Sequence, residues 1–109
     1  MEKDPKIFLG HILESIEAIE SYSQGLSFDE FLKSPRDQDA MIRRIEIIGE
    51  AVRNLPEKIK KLYPDVLWQD ATDMRNKLVH EYFDVDVKVT WNTIRDDLPK
   101  FKEQIQRII

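Results

Sequence analysis

Apolar residues recur at spacings of three and four almost from one end of the chain to the other, and this periodicity constrains the fold more than any other feature. Leu9, Ile12, Leu13, Ile16 and Ile19 form one such series; Met41, Ile45, Ile48, Val52 and Leu55 form a second; Val87, Trp91, Ile94, Leu98, Phe101, Ile105 and Ile108 form a third. At 3.6 residues per turn each series is a single apolar stripe on a helix, and a stripe must be covered by a neighbour. Period-two alternation, the mark of a half-buried strand, is rare. The expected class is all-α: an antiparallel up-and-down bundle of four to five helices. With 109 residues and no internal repeat, linker or low-complexity tract, the chain supports one domain, residues 1–109, with one core.

Local signals place the helix ends. Asp4 followed by Pro5 predicts the start of the first helix, and Gly25 its end. Ser27-Phe28-Asp29-Glu30 reads as a capping box opening a short helix. Ser34-Pro35 opens the second long helix, whose interior Gly49 costs about 1 kcal/mol relative to alanine and predicts close approach by another helix. Glu50 beside it reads as a solvated or salt-bridged glutamate. Pro56 and Pro64 bracket a short helix, Glu57 to Tyr63. A further helix is expected from near Asp70 to about His80, with Ala71, Met74 and Leu78 on its buried face. Asp84 and Asp86 are candidate N-caps for the last long element, in which Pro99 predicts a kink or a break. Trp68 and Trp91 read as core fillers rather than base-stacking platforms.

Charged residues make up 35% of the chain and hydrophobic residues 41%, which suits a small globule with a solvated surface. The absence of cysteine excludes a disulfide scaffold and thiolate metal sites, and fits a cytoplasmic location. No apolar run approaches the roughly 20 residues that cross a bilayer, so no membrane partner is expected. The charged start, Met1 to Lys6, predicts no signal peptide. A net charge of −4 speaks against nonspecific coating of nucleic acid. Residues 41–61 nonetheless carry six basic and three acidic groups, which suits a local RNA contact and equally a solvated helix face balanced elsewhere. The two histidines, His11 and His80, belong to no cluster with metal-ligand spacing, so neither metal nor other cofactor is expected. His11 reads as a satisfied core or boundary residue. Neither a glycine-rich phosphate loop nor a nucleotidyltransferase Gly-Ser with paired aspartates is present, so the chain is not expected to transfer nucleotides itself.

The residues that carry chemistry lie in Asp73-Met74-Arg75-Asn76-Lys77-Leu78-Val79-His80-Glu81-Tyr82. Arg75 is a permanently charged fork that fits a phosphate, and His80 is the side chain best suited to moving protons near neutral pH. Together they are a minimal kit for breaking a phosphodiester without a metal. On a continuous helix Asn76 and His80 share a face, whereas Arg75 and His80 stand roughly 140° apart. Convergence on one phosphate therefore needs the helix to loosen near His80, or a second copy of the chain to supply the other half. A twofold axis beside this helix would bring together two His80 side chains, one as base for a 2′-hydroxyl and one as acid for the leaving 5′-oxygen, with Arg75 on the developing charge. The mismatch, together with apolar seams that look too numerous for one small bundle to hide, predicts a homodimer.

The order Arg-Asn-x-x-x-His-x-Tyr resembles the signature of the HEPN superfamily and, within it, the HepT toxin branch. The resemblance extends to Arg44-Ile45-Glu46-Ile47-Ile48-Gly49-Glu50-Ala51, Leu55-Pro56-Glu57, Tyr63-Pro64, Trp68 and Asp96-Asp97-Leu98-Pro99, which together cover nearly the whole chain. It implies a HEPN-like helical bundle and a metal-independent endoribonuclease toxin. It also implies a homodimer with Arg75 and His80 as catalytic residues at a shared cleft and Asn76 in support. The products would be a 2′,3′-cyclic phosphate and a 5′-hydroxyl. It further implies a cognate MntA-type nucleotidyltransferase antitoxin that adds AMP to Tyr82, placing bulk and negative charge at the mouth of an anion site. From the residues alone, Tyr82 could equally pack or touch RNA. Two other readings stay open: a non-catalytic helical partner or substrate-binding subunit of a separate nucleotidyltransferase, and a structural dimer module. The full Arg-Asn-His-Tyr set favours the ribonuclease, and the overall acidity favours the others.

Overall fold

The structure, a computed structural model, describes residues 4–81, 84, 85 and 87–109, without the side chains of residues 74–81, 84 and 85. It is the expected all-α bundle with one small addition. Helix α1 spans Pro5–Ser23, α2 Phe28–Leu32, α3 Pro35–Asn54, α4 Glu57–Leu62 and α5 Trp68–Leu78. Two short strands follow, β1 (Val79–Glu81) and β2 (Asp84–Val85), paired antiparallel. Helix α6 (Val87–Asn92) then passes through a π-helical stretch, Thr93–Asp97, into α7 (Leu98–Ile108).

The helix ends obey the local chemistry. Asp4 accepts the Lys6 N–H at 2.9 Å and Pro5 opens α1. Beyond Ser23 the chain turns through Gly25 at φ +74°, a left-handed conformation that costs glycine nothing. At α2 both halves of the capping box form: the Glu30 N–H donates to Ser27 Oγ at 3.2 Å, and the Ser27 N–H to Glu30 Oε1 at 3.0 Å. Ser34 accepts the Asp37 N–H at 3.2 Å, ahead of Pro35, to start α3. Helix α4 lies between Pro56 and Pro64 as expected.

Helix α3 is the centre of the bundle and packs against α1, α2 and α5. Its stripe of Met41, Ile45, Ile48, Val52 and Leu55 is buried, and so is Gly49. Leu9, Ile12, Ile16 and Ile19 of α1 meet it, with Leu13 half-buried. Trp91 of α6 is closed in by Phe31 and Phe28 of α2, with ring centroids 5.2 Å and 6.0 Å away. Trp68 of α5 meets Phe101 of α7 edge-on at 6.2 Å. Both tryptophans are core fillers. The three seams are thus covered within one chain, and the idea that they are too numerous for a single bundle to hide does not stand.

Two expectations need correction. Pro99 does not break the last helix; it stands in the first turn of α7, directly after a π-helical stretch. A proline in an α-helix removes one N–H and presses its ring on the carbonyl four residues back. Here the preceding turn widens instead: the Leu98 N–H donates to the Thr93 carbonyl, five residues back, while Asn92, Asp97 and Leu98 all keep helical backbone angles. Asp84 is not an N-cap, because it lies in β2; Asp86 falls outside the described residues. The hairpin itself has no precedent in the period-two pattern, since each strand is too short to show one.

Two stability predictions follow from this packing. Ile45, only 1% exposed, should cost about 3 kcal/mol when changed to alanine, through lost transfer energy and a residual cavity. Urea unfolding should show a lower midpoint at unchanged slope. The Glu30 carboxylate is held below its ordinary range by the backbone hydrogen bond from Ser27, then by the Ser27 side chain. A depressed folded pKa means stability that is present above the unfolded value and lost as pH falls through the folded one. Thermal midpoints of wild type and Glu30→Gln should therefore differ most near neutrality and converge below the carboxylate range.

Candidate functional site

The site begins with how α5 is anchored. The Trp68 indole N–H donates to the Tyr63 carbonyl at 3.0 Å, and the Trp68 backbone N–H to the Val66 carbonyl at 2.8 Å. The Ala71 N–H donates to the Leu67 carbonyl at 3.0 Å. From α7, the Gln104 amide holds the same loop on both sides: its oxygen accepts the Leu67 N–H at 3.1 Å and its nitrogen donates to the Asp65 carbonyl at 3.2 Å. Trp68 and Ala71 are buried against the core. On the outer face Gln69 donates to Asp73 at 2.9 Å, a four-residue pair typical of an exposed helical row. The start of α5 is therefore fixed from three directions.

Arg75 and Asn76 lie in the last turn of this helix, and their side chains are outside the described residues, as are those of Met74 and Leu78. Helix α5 ends at Leu78, two residues earlier than the sequence suggested, and His80 lies in β1. The helix thus ends before His80. The angle between Arg75 and His80 on an ideal helix no longer applies, so it cannot serve as the argument for a second copy of the chain. Tyr82 lies outside the described residues, and the His80 side chain is not described.

Two concavities among the described residues have polar walls. One, of about 390 Å³, opens between the start of α5 and the α6–α7 unit, with Asp70, Asp96 and Asp97 on its walls above Ala71, Leu98 and Phe101. Three carboxylates make it a poor home for phosphate. The other, of about 290 Å³, lies between α1 and α3, where His11 faces Arg43, Glu46, Glu50 and Asn54. His11 is exposed, not a core residue, because its position on α1 points away from the Ile12 and Ile16 stripe. Glu50 is solvated, as expected. This polar groove was not foreseen, since its members come from two helices and share no sequence spacing. Among the described residues no group of three or more His, Cys, Asp and Glu could hold a metal ion. No helix among them is long and apolar enough to cross a membrane.

Known proteins supply the remaining context. The model of the ribonuclease HepT-like family matches residues 12–108. A Methanocaldococcus jannaschii protein named as a gamma-glutamylcyclotransferase and candidate RNase is 49% identical over 109 residues, all of this chain and 49% of that protein. A Thermococcus cleftensis protein named as a probable ribonuclease HepT is 41% identical, covering 99% of this chain and 98% of that protein. A candidate RNase of Caldanaerobacter subterraneus subsp. tengcongensis is 39% identical, covering 98% and 96%. The chain thus spans about half the length of the first relative and nearly all of the other two. No solved structure matches it. With a family match running from the first helix to the last, over the anchored α5 and the residues that follow it, the chain belongs to the ribonuclease HepT-like family of the HEPN superfamily.

Proposed function

We propose that this chain is a metal-independent endoribonuclease, the toxin of a toxin–antitoxin pair, acting as a homodimer. The observation that carries the reading is the sequence set Arg75, Asn76, His80 and Tyr82, which begins in the last turn of α5, in a chain of a ribonuclease family. In the proposed reaction a His80 side chain takes the proton of the 2′-hydroxyl as that oxygen attacks the neighbouring phosphorus. A second His80 gives a proton to the 5′-oxygen as its bond to phosphorus breaks. Arg75 binds the phosphate oxygens through paired N–H donors and holds the charge that builds on them. Asn76 orients the histidine or a phosphate oxygen. The products are a 2′,3′-cyclic phosphate and a 5′-hydroxyl.

The dimer rests on proton bookkeeping. Internal attack needs both a base and an acid, and the motif offers one histidine per chain. The only other, His11, lines the groove between α1 and α3. Two copies of His80 across a twofold axis meet the requirement. Control of the enzyme would come from a cognate MntA-type nucleotidyltransferase. The Tyr82 hydroxyl attacks the α-phosphorus of ATP, pyrophosphate leaves, and the attached AMP repels and obstructs RNA.

His80→Ala and Arg75→Ala should each lower cleavage of single-stranded RNA by at least about a hundredfold in the presence of a chelator. Their thermal midpoints should stay close to wild type. Wild-type cutting by His80→Ala would sink the assignment, and a purely monomeric protein in micromolar sedimentation runs would sink the shared site. Incubation with the partner and ATP should add the mass of one AMP to the wild type and none to Tyr82→Phe, which should stay active. Equal labelling of both proteins would remove Tyr82 from the scheme. A protein that binds the nucleotidyltransferase but cuts nothing would instead be its non-catalytic partner, the reading that the net charge of −4 favours.

A further inference from the structure

We propose that α4 and the tyrosine after it are the docking surface for the single-stranded RNA that is cut at the end of α5. The inference rests on the ribonuclease reading and adds the place where the substrate strand is held.

Helix α4 buries none of its six residues, so the core does not explain its composition. It lies between Pro56 and Pro64 in the connection from α3 to α5. Its charge is distinctive in a chain of net −4: Arg53, Lys58, Lys60 and Lys61 stand within nine residues, against Glu57 alone. Glu57 pairs with Lys60 at 3.6 Å, while Arg53, Lys58 and Lys61 are exposed. Beside them Leu62 is 62% exposed and Tyr63 is 39% exposed. Cations alternating with an accessible aromatic ring suit a single strand, whose phosphates take the charge and whose unstacked bases lie on the ring.

The surface is also rigid. The Tyr63 carbonyl accepts the Trp68 indole N–H, and Gln104 clamps the next turn from both sides, so the ring is presented by a fixed loop. It is close to the motif as well. Arg75 lies seven residues beyond Trp68, about 10 Å along α5. The acidic cavity with Asp70, Asp96 and Asp97 opens toward α6 and α7, leaving α4 as the basic approach to that helix.

The test is fluorescence anisotropy of the whole chain with a labelled 12-nucleotide single-stranded RNA whose 2′-hydroxyls are methylated, so that it cannot be cut. Lys58→Ala/Lys61→Ala should weaken binding and flatten the plot of log affinity against log salt by about 1.4, two phosphate contacts on a single strand. Tyr63→Ala should weaken it about tenfold with little change in that slope. A matched pair at the far end of the bundle, Lys33→Ala/Arg36→Ala, should leave both quantities near wild type. Wild-type affinity in the α4 variants overturns the proposal, as does failure of the wild-type chain to bind the probe. Equally tight binding of the corresponding duplex, or displacement of the probe by polyglutamate at matched charge, overturns the single-strand assignment and makes α4 a general anion-binding surface. Cleavage is scored separately on the same sequence with free 2′-hydroxyls. A chain that binds at α4 yet cuts nothing would refute the ribonuclease reading and leave the docking surface standing.

Discussion

The burial of the α3 stripe is the interaction on which the other elements depend. An isolated helix of 20 residues is marginal in water, and α3 carries a glycine in its interior that weakens it further. It is held because α1 covers one flank and α5 the other, with Met41, Ile45, Ile48 and Val52 all at 1% exposure or less. Each such side chain contributes about 1.5–3 kcal/mol when fully buried. Gly49 is buried on the same helix, where the absence of a side chain leaves room for close packing. The helix that carries the proposed site, α5, is thus one wall of the core and takes its position from the same contacts that hold the fold.

The start of α5 is anchored by several elements at once. Its first turn is fixed by Trp68, Ala71, the Gln104 clamp and the edge-on contact with Phe101. Its last turn carries Arg75 and Asn76, and three residues beyond Arg75 the helix is over. In the proposed mechanism the arginine gains from a rigid base, because a displaced clamp costs rate steeply. The histidine proposed to move protons gains from leaving the helical ladder, where its direction would be set by 3.6 residues per turn. The change from α5 to β1 between Leu78 and Val79 gives the two residues different backbone settings within five positions.

Much of this was legible in the sequence because the signals are local. Capping by Asp4, Ser27 and Ser34, the left-handed turn at Gly25 and the stripes at three-and-four spacing each depend on residues within one or two turns of one another. The hairpin at Val79–Val85 was not legible, because pairing of such short strands is decided by what surrounds them. The π-helical passage ahead of Pro99 was missed for a related reason: proline forbids one hydrogen bond, but the packing of Ile94 and Leu98 on either side decides whether the chain breaks or widens. The Arg-Asn-His-Tyr set was legible as chemistry and through its likeness to a family. The polar groove of His11, Arg43, Glu46 and Glu50 was not, since it exists only once α1 and α3 are side by side.

The acidity of the chain looks at odds with an RNA substrate, and the distribution of charge resolves the conflict. Nonspecific affinity grows with every phosphate neutralised, so a basic protein binds nucleic acid everywhere and salt controls how tightly. In this chain the first forty residues carry nine acidic groups against four basic ones, while the stretch leading into α5 is net positive. The cavity on the α6–α7 side adds three carboxylates next to the start of α5. In the proposed arrangement an RNA strand is repelled by most of the surface and accepted along one approach, from α4 toward the end of α5. That arrangement gives up overall affinity in exchange for register, and it leaves little spare attraction. An added phosphate near the motif, as in an adenylylated Tyr82, would then have a large effect for a single charge.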